Sequence, residues 1–190
     1  TFYCANLPNV VLRSQTSNAQ ARQMINSNPP IKIISPGRVY RNESVSARKN
    51  NLFHQIEGLY VDKGITMGDL KGVLNEFTRL YFGENRPTRF RSSFFPFTEP
   101  SVEIDMSCIY CDGSGCNMCK PKGWITICGA GMVHPNVLRD CGYDPEKWQG
   151  FAFGFGAERL AMLKYTMDDM RTFHENDLRE TKNFDRREGE

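Results

Sequence analysis

No apolar run in this sequence approaches the roughly 18 residues that a membrane helix requires. No charged stretch followed by an apolar segment opens it in the manner of a secretory signal. Charge of one sign is also scarce, and a net charge of +2 is too small to argue for nucleic acid by itself. No nucleophile–base pair is apparent, and His134 and His174 read as hydrogen-bonded structural residues rather than bases. An initiator methionine is missing: the chain begins at Thr1 and stops in the charged tail 185–190, so a trimmed piece of a longer protein is expected. What is present suits one soluble globular domain, with 190 residues, 39% hydrophobic and 24% charged, long enough to bury a core. Seven cysteines could mean a secreted disulfide scaffold, but four fall within twelve residues at metal-like spacing. That favours a reducing, cytoplasmic compartment.

Residues 14–23 read as a short helix ended by Asn28-Pro29-Pro30. Strands are expected at 31–34 and 38–43, separated by a Pro36-Gly37 turn, and again at 52–62, so that 38–62 forms a hairpin with a flexible tip at 44–51. The spacing of Leu70, Val73, Leu74, Phe77, Leu80 and Tyr81 predicts an amphipathic helix over 69–82. Residues 88–95, 98–105, 124–128 and 150–155 have strand character, and 157–165 reads as helix. There is little alternation of strand and helix, which favours an α+β fold, an antiparallel or mixed sheet flanked by helices.

Side chains alternate along a strand, so Phe53, Gln55 and Glu57 share one face. That face is either a solvated sheet surface or a pocket where Phe53 stacks on a base while Gln55 and Glu57 accept hydrogen bonds from an ammonium group. Arg41 and Glu43 share a face by the same rule, and an arginine fork there could hold a phosphate. Phe95, Phe97 and Glu99 also alternate, as core or as one wall of a site; Pro96 and Pro100 favour a shaped rim. In 150–156, Phe151, Phe153 and Phe155 occupy one face and Gly150, Ala152, Gly154 and Gly156 the other. The bare face is either close backbone packing or a floor for something flat. A helix beginning at Ala157 brings its positive end near that floor, with Arg159 adding a full charge.

Cys108-x2-Cys111-x4-Cys116-x2-Cys119 carries glycines at 113 and 115 between two pairs. Four thiolates so spaced can close a tetrahedral, structural zinc site; two local disulfides or four free thiols are the alternatives. Cys4, Cys128 and Cys141 stand apart.

Together these strings resemble the α subunits of bacterial phenylalanyl-tRNA synthetases. Gly37-Arg38-Val39-Tyr40-Arg41 through Phe53-His54-Gln55-Ile56-Glu57-Gly58 looks like motif 2 of class II synthetases, and Gly154-Phe155-Gly156-Ala157-Glu158-Arg159-Leu160 looks like motif 3. The strings 94–101, 129–138 and 173–179 are similar to segments peculiar to this subunit. The resemblance implies a class II core over 1–190 with a zinc-knuckle-like insertion at 108–119. It implies that ATP binds in a bent form and, with magnesium, activates phenylalanine for transfer to tRNA, without a general base. Arg41 and Arg159 are then the catalytic charges. ATP would be held by Arg41, Glu43, Phe53, Gly156 and Arg159, with Phe53 and Arg159 sandwiching the adenine. Ser17, Gln20, Glu43, Gln55 and Glu57 would orient the amino acid and its ammonium. Phe95 and Phe97 would pack edge-on to its ring above a floor of Ala152 and Gly154. Glu99 would take magnesium at the border with a β subunit, in an (αβ)2 heterotetramer.

Two departures accompany the likeness. Gln15 stands where the family usually has histidine, and the chain starts where motif 1 should just have ended, without the N-terminal coiled coil. This piece is therefore expected to be inactive alone. Two other functions fit the same strings: a class II relative making a different adenylate, and an RNA-binding module with a vestigial nucleotide site.

Overall fold

The computed structural model describes residues 1–83, 86–175 and 177–179. The charged tail 185–190, and Asn176 within the string 173–179, lie outside the described residues. The chain opens with a short antiparallel pair, β1 (Tyr3–Cys4) and β2 (Leu7–Val11), and helix α1 (Ser17–Asn26). Then come β3 (Ile31–Tyr40), β4 (Leu52–Asp62), α2 (Met67–Phe82), β5 (Thr88–Phe95), β6 (Thr98–Ser107), β7 (Trp124–Val133), α3 (Pro135–Asp140), β8 (Gln149–Gly156), α4 (Ala157–Lys164) and α5 (Thr172–Glu175). Strands β3 to β8 form one antiparallel sheet in the order β3-β4-β8-β7-β6-β5, the α+β architecture expected.

Two expectations need correction. Pro36-Gly37 is no turn; β3 runs unbroken from Ile31 to Tyr40, with Pro36 opposite Ile56. It is an edge strand of the sheet, where proline's missing N–H breaks no ladder. Strand character also stops at Tyr40, leaving Arg41 and Glu43 in the loop before β4. Helix α1 begins at Ser17 rather than 14, because the carbonyls of Arg13 and Ser14 are engaged by the end of the hairpin. Tyr40 N–H donates to Arg13 (2.8 Å), and Arg41 Nε donates to Ser14 (3.1 Å).

The alternation along β8 decides the layering. Phe151 and Phe155 are buried on one face among Leu70 and Leu74 of α2 and Leu160 and Leu163 of α4. Helix α2 is fixed at its start by a capping box between Thr66 and Asp69. The opposite face carries Leu59 and Val61, which pack with Met24 of α1, Leu138 of α3 and Tyr143. The same face bears Gln55 and Glu57 further along β4, where the small residues of β8 leave a hollow.

Candidate active site

That hollow is a cleft of about 320 Å³. Of the residues singled out from sequence, it gathers Ser17, Gln20, Arg41, Phe53, Gln55, Glu57, Phe95, Phe97, Ala152, Gly154 and Gly156, together with Gln15. Its polar end is built on Glu57. The residue is only 5% exposed, and its carboxylate accepts from Gln20 Nε2 at 2.8 Å. Burial raises its pKa above the ordinary carboxylate value, against hydrogen bonds from Ser17, the Thr16 backbone and Gln20 and the charge of Arg41. A buried carboxylate held so reluctantly ionised favours a cation arriving beside it. Two residues along the same face, Gln55 Oε1 is buried with no hydrogen-bond partner. An unpaired buried acceptor next to a raised carboxylate has the chemistry to take a cationic hydrogen-bond donor such as an ammonium group.

The apolar end is made of small residues on adjoining strands. Gly129 of β7 stands opposite Gly154 of β8, and Gly131 opposite Ala152. A Cβ on Gly129 would meet Phe95 Cζ at 2.9 Å, and one on Gly154 would meet Gln55 Nε2 at 2.9 Å. The sheet is bare there because rings and amides already occupy the space above it. Phe95 and Phe97 lie with centroids 6.0 Å apart and planes 13° from parallel, so the phenylalanines of this rim serve the cleft. Phe94, the residue before Phe95 within β5, points the other way along the alternation and is 81% exposed.

Arg41 lies over Phe53, its guanidinium carbon 5.0 Å from the ring centroid, a cation–π pair at the cleft's third side. Arg159 does not join it. Its Nε donates to the carbonyl of Thr126, a residue of the cleft lining (3.0 Å), and it borders a second hollow of about 20 Å³ with Arg48 and Tyr110. Burial, with Arg48 nearby, lowers its proton affinity. Arg41, rather than Arg159, is thus the cation over Phe53. Glu43 lies outside the cleft lining, paired with Lys49 at 2.6 Å within the loop. Glu99 is exposed as well, with His134 Nε2 at 3.2 Å, while His134 Nδ1 caps α3 by accepting from Asn136 N–H.

Sequence reasoning passed over Thr98, Glu103 and Thr126, which also line the cleft. Thr126 donates to buried Asp105 (2.7 Å), which Arg89 and Arg91 also grip at 3.0 and 2.5 Å. Burial pulls the Asp105 pKa upward, but those three donors outweigh it and hold it at about 2. The alternation of β6 and β7 was the available signal; it is obscured because β-bulges interrupt the register on both strands.

The four knuckle sulfurs lie within 4.8 Å of one another. Cys108–Cys116, Cys111–Cys119 and Cys116–Cys119 are separated by 3.8, 3.6 and 3.7 Å. Those distances exceed a disulfide bond of about 2.05 Å, and none of the seven cysteines is joined in a disulfide. A tetrahedron with metal–sulfur bonds of about 2.3 Å sets its corners roughly 3.8 Å apart. Gly115 N–H donates to Cys111 Sγ (3.2 Å) and Cys116 N–H to Cys119 Sγ (3.3 Å), as amides do toward thiolates. The donor set fits a soft divalent metal.

An antiparallel sheet of this order, with a cleft on its bare face and an arginine-bearing loop between β3 and β4, defines the catalytic core of a class II synthetase. The chain belongs to the family described as tRNA synthetases class II core domain (F), which it matches over residues 1–184. More particularly, it is similar to the phenylalanine–tRNA ligase alpha subunit of Caldanaerobacter subterraneus subsp. tengcongensis, at 59% identity over 94% of this chain and 52% of that one. The subunit of the same description from Caldicellulosiruptor saccharolyticus is 58% identical over 97% of this chain and 54% of its own length. The chain thus spans about half the length of the curated relatives it matches. Among solved structures, a pyrrolysyl-tRNA synthetase from Desulfitobacterium hafniense shares the fold, with a TM-score of 0.56 at 16% identity, covering 84% of this chain and 52% of that one. The family expected from the sequence strings is therefore the family found.

Proposed function

We propose that this chain is the catalytic core of a phenylalanine–tRNA ligase α subunit, activating phenylalanine with ATP and passing it to tRNA. The observation that carries the reading is the pairing of ends within one cleft: an ammonium receptor at Glu57 and Gln55, and an aromatic slot between Phe95, Phe97 and the small floor. The substrate carboxylate then faces Arg41, where it attacks the α-phosphorus of ATP; the P–O bond to pyrophosphate breaks and an acyl adenylate forms. Arg41 stabilises charge on the phosphorus oxygens, and the cleft holds the reactants in line. The substrate's own carboxylate is the nucleophile, so no side-chain base is required. The nucleotide extends past Thr126 toward Arg159 and Arg48. The terminal adenosine of the tRNA takes the acyl group in the second step.

Magnesium is expected with ATP in this family, but Glu99 as placed supports no step through it. Zinc is the metal assigned to Cys108, Cys111, Cys116 and Cys119. Four sulfurs fill its coordination, so its role is structural. A β subunit in an (αβ)2 assembly is the expected partner, and the cytoplasm, where these thiols stay free, is the expected compartment. Among the described residues no helix is long and apolar enough to cross a membrane.

The test is amino-acid-dependent ATP–pyrophosphate exchange by the full-length subunit assembled with its partner. Phenylalanine should drive exchange, with tyrosine about 100-fold weaker, since an apolar pocket rejects an added hydroxyl poorly. Faster exchange with another amino acid would reassign the substrate, and exchange with none would remove the activity.

A further inference from the structure

The four-cysteine knuckle touches both arms that flank the nucleotide side of the cleft, in contacts its spacing does not require. The loop 41–51 between β3 and β4 leaves the sheet after Arg41 N–H donates to Asn51 (2.9 Å). Its tip is closed on itself by Ser46 and Lys49, whose amides and carbonyls pair at 2.9 and 3.2 Å. Besides the Arg41–Ser14 contact, it is anchored outside the sheet at Ala47 and at Arg48. Met170 N–H, past the end of α4, donates to the Ala47 carbonyl (2.8 Å). Arg48 Nη2 donates to the carbonyl of Asn117, the residue directly after Cys116. On its other flank the knuckle grips the end of α4, because Tyr110 Oη donates to the carbonyls of Met162 (3.2 Å) and Met167 (2.6 Å). Arg48, Tyr110, Met118 and Arg159 enclose the 20 Å³ hollow between the two arms. Two guanidinium groups facing one small hollow repel each other, so something must hold Arg48 there. The Asn117 carbonyl does so, and Asn117 lies in the turn between Cys116 and Cys119, two of the four clustered cysteines.

We infer that the knuckle, closed on its metal, is a brace that holds the 41–51 loop against α4, and that Arg48 is the positioning residue through which it supports the nucleotide. This rests on the proposed reading of the cleft as an ATP and amino-acid site. The metal does no chemistry; it fixes the carbonyl that fixes Arg48. The phenylalanine end of the cleft, built from α1, β4 and the β5–β6 hairpin, lies outside the brace.

The test uses the full-length subunit assembled with its partner, before and after metal is stripped by chelation, with metal content measured directly. Three readouts are taken: hydrogen exchange of amides 44–50, KM for ATP and KM for phenylalanine. Loss of metal should speed exchange in the loop and raise KM for ATP about 10-fold, the worth of one charge-assisted hydrogen bond, with KM for phenylalanine unmoved. Arg48→Ala should reproduce both effects with metal retained, and stripping the metal from that variant should add nothing. Arg48→Lys, which keeps a donor, should recover part of the loss. Unchanged loop exchange after metal loss overturns the brace, as does an equal rise in both KM values. If the unaltered protein catalyses no exchange with any amino acid, the synthetase reading fails instead, and loop hydrogen exchange alone still decides the brace.

Discussion

Glu57 is the residue where burial and function pull against each other. Its raised pKa means that the fold disfavours the ionised form. The free protein therefore loses stability as pH rises from the ordinary carboxylate range through the raised value, and an ammonium ligand restores it. Phenylalanine should raise the melting temperature more at the upper end of that window than at the lower. Glu57→Gln keeps the shape and removes the charge. It should melt no lower than the parent at neutral pH, yet bind phenylalanine about 100-fold more weakly, the roughly 3 kcal/mol of a hydrogen-bonded charge. Calorimetry of unfolding and of binding separates the two effects. A variant that loses stability and keeps affinity would make Glu57 a structural carboxylate.

Ala152 lines the cleft, and in the proposed reading it sets the depth of the slot. Ala152→Gly should admit phenylalanine analogues bulkier at the para position, improving their relative use by roughly 10-fold or more, the worth of one to two methyl-sized contacts. Larger residues there should exclude phenylalanine. Exchange kinetics with the analogue series measure this, and identical specificity in all variants would contradict the floor.

At this scale much was legible in the sequence, because strand alternation put Phe53, Gln55 and Glu57 together and the small residues of 150–156 opposite them. Arg159 was legible only in part. Position near a helix start does not say which side of a neighbouring strand a long side chain takes, and here it takes the Thr126 carbonyl. Glu43 failed for a different reason. Its alternation with Arg41 holds only inside a strand, and the strand ends one residue before Arg41.

Among the elements, the instructive case is β3, where proline and glycine look like punctuation and are not. Edge position excused Pro36, and edge position is a property of the sheet, invisible within ten residues. The rim at 94–97 shows the converse. Three phenylalanines resemble core, but Phe95 lies over Gly129 of β7 and Phe97 lines the cleft beside it. The partnership between β5–β6 and β7 predicts a specific lesion. Gly129→Ala would push a methyl against the Phe95 ring. An aromatic ring in a formed slot has little room to retreat, so the substitution should raise KM for phenylalanine about 10-fold, on the order of 1–3 kcal/mol of overpacking, and leave KM for ATP near its original value. Equal effects on both substrates would mean that the sheet, rather than the slot, was disturbed.

For the whole molecule, the sheet divides labour by face. One face is filled by α2, α4 and three phenylalanines of β8; the other is covered at one end by α1, α3 and Tyr143 and left open at the other by glycine and alanine from two adjacent strands. That division is why a single short string, 150–156, carries both the core and the floor. The knuckle then ties the 41–51 loop to the helix that leaves the sheet, linking parts of the chain that share no strand. The account depends on the empty face receiving one activated amino acid in one orientation. A crystal structure of the full-length subunit, assembled with its partner and bound to a non-hydrolysable phenylalanyl-adenylate analogue, measures that directly. The account predicts the analogue's amino group within hydrogen-bond distance of Glu57 and Gln55 Oε1, its ring between Phe95, Phe97 and Ala152, and its phosphate-mimicking group against Arg41. An analogue lying elsewhere, or reversed so that its ring avoids the small floor, would contradict it.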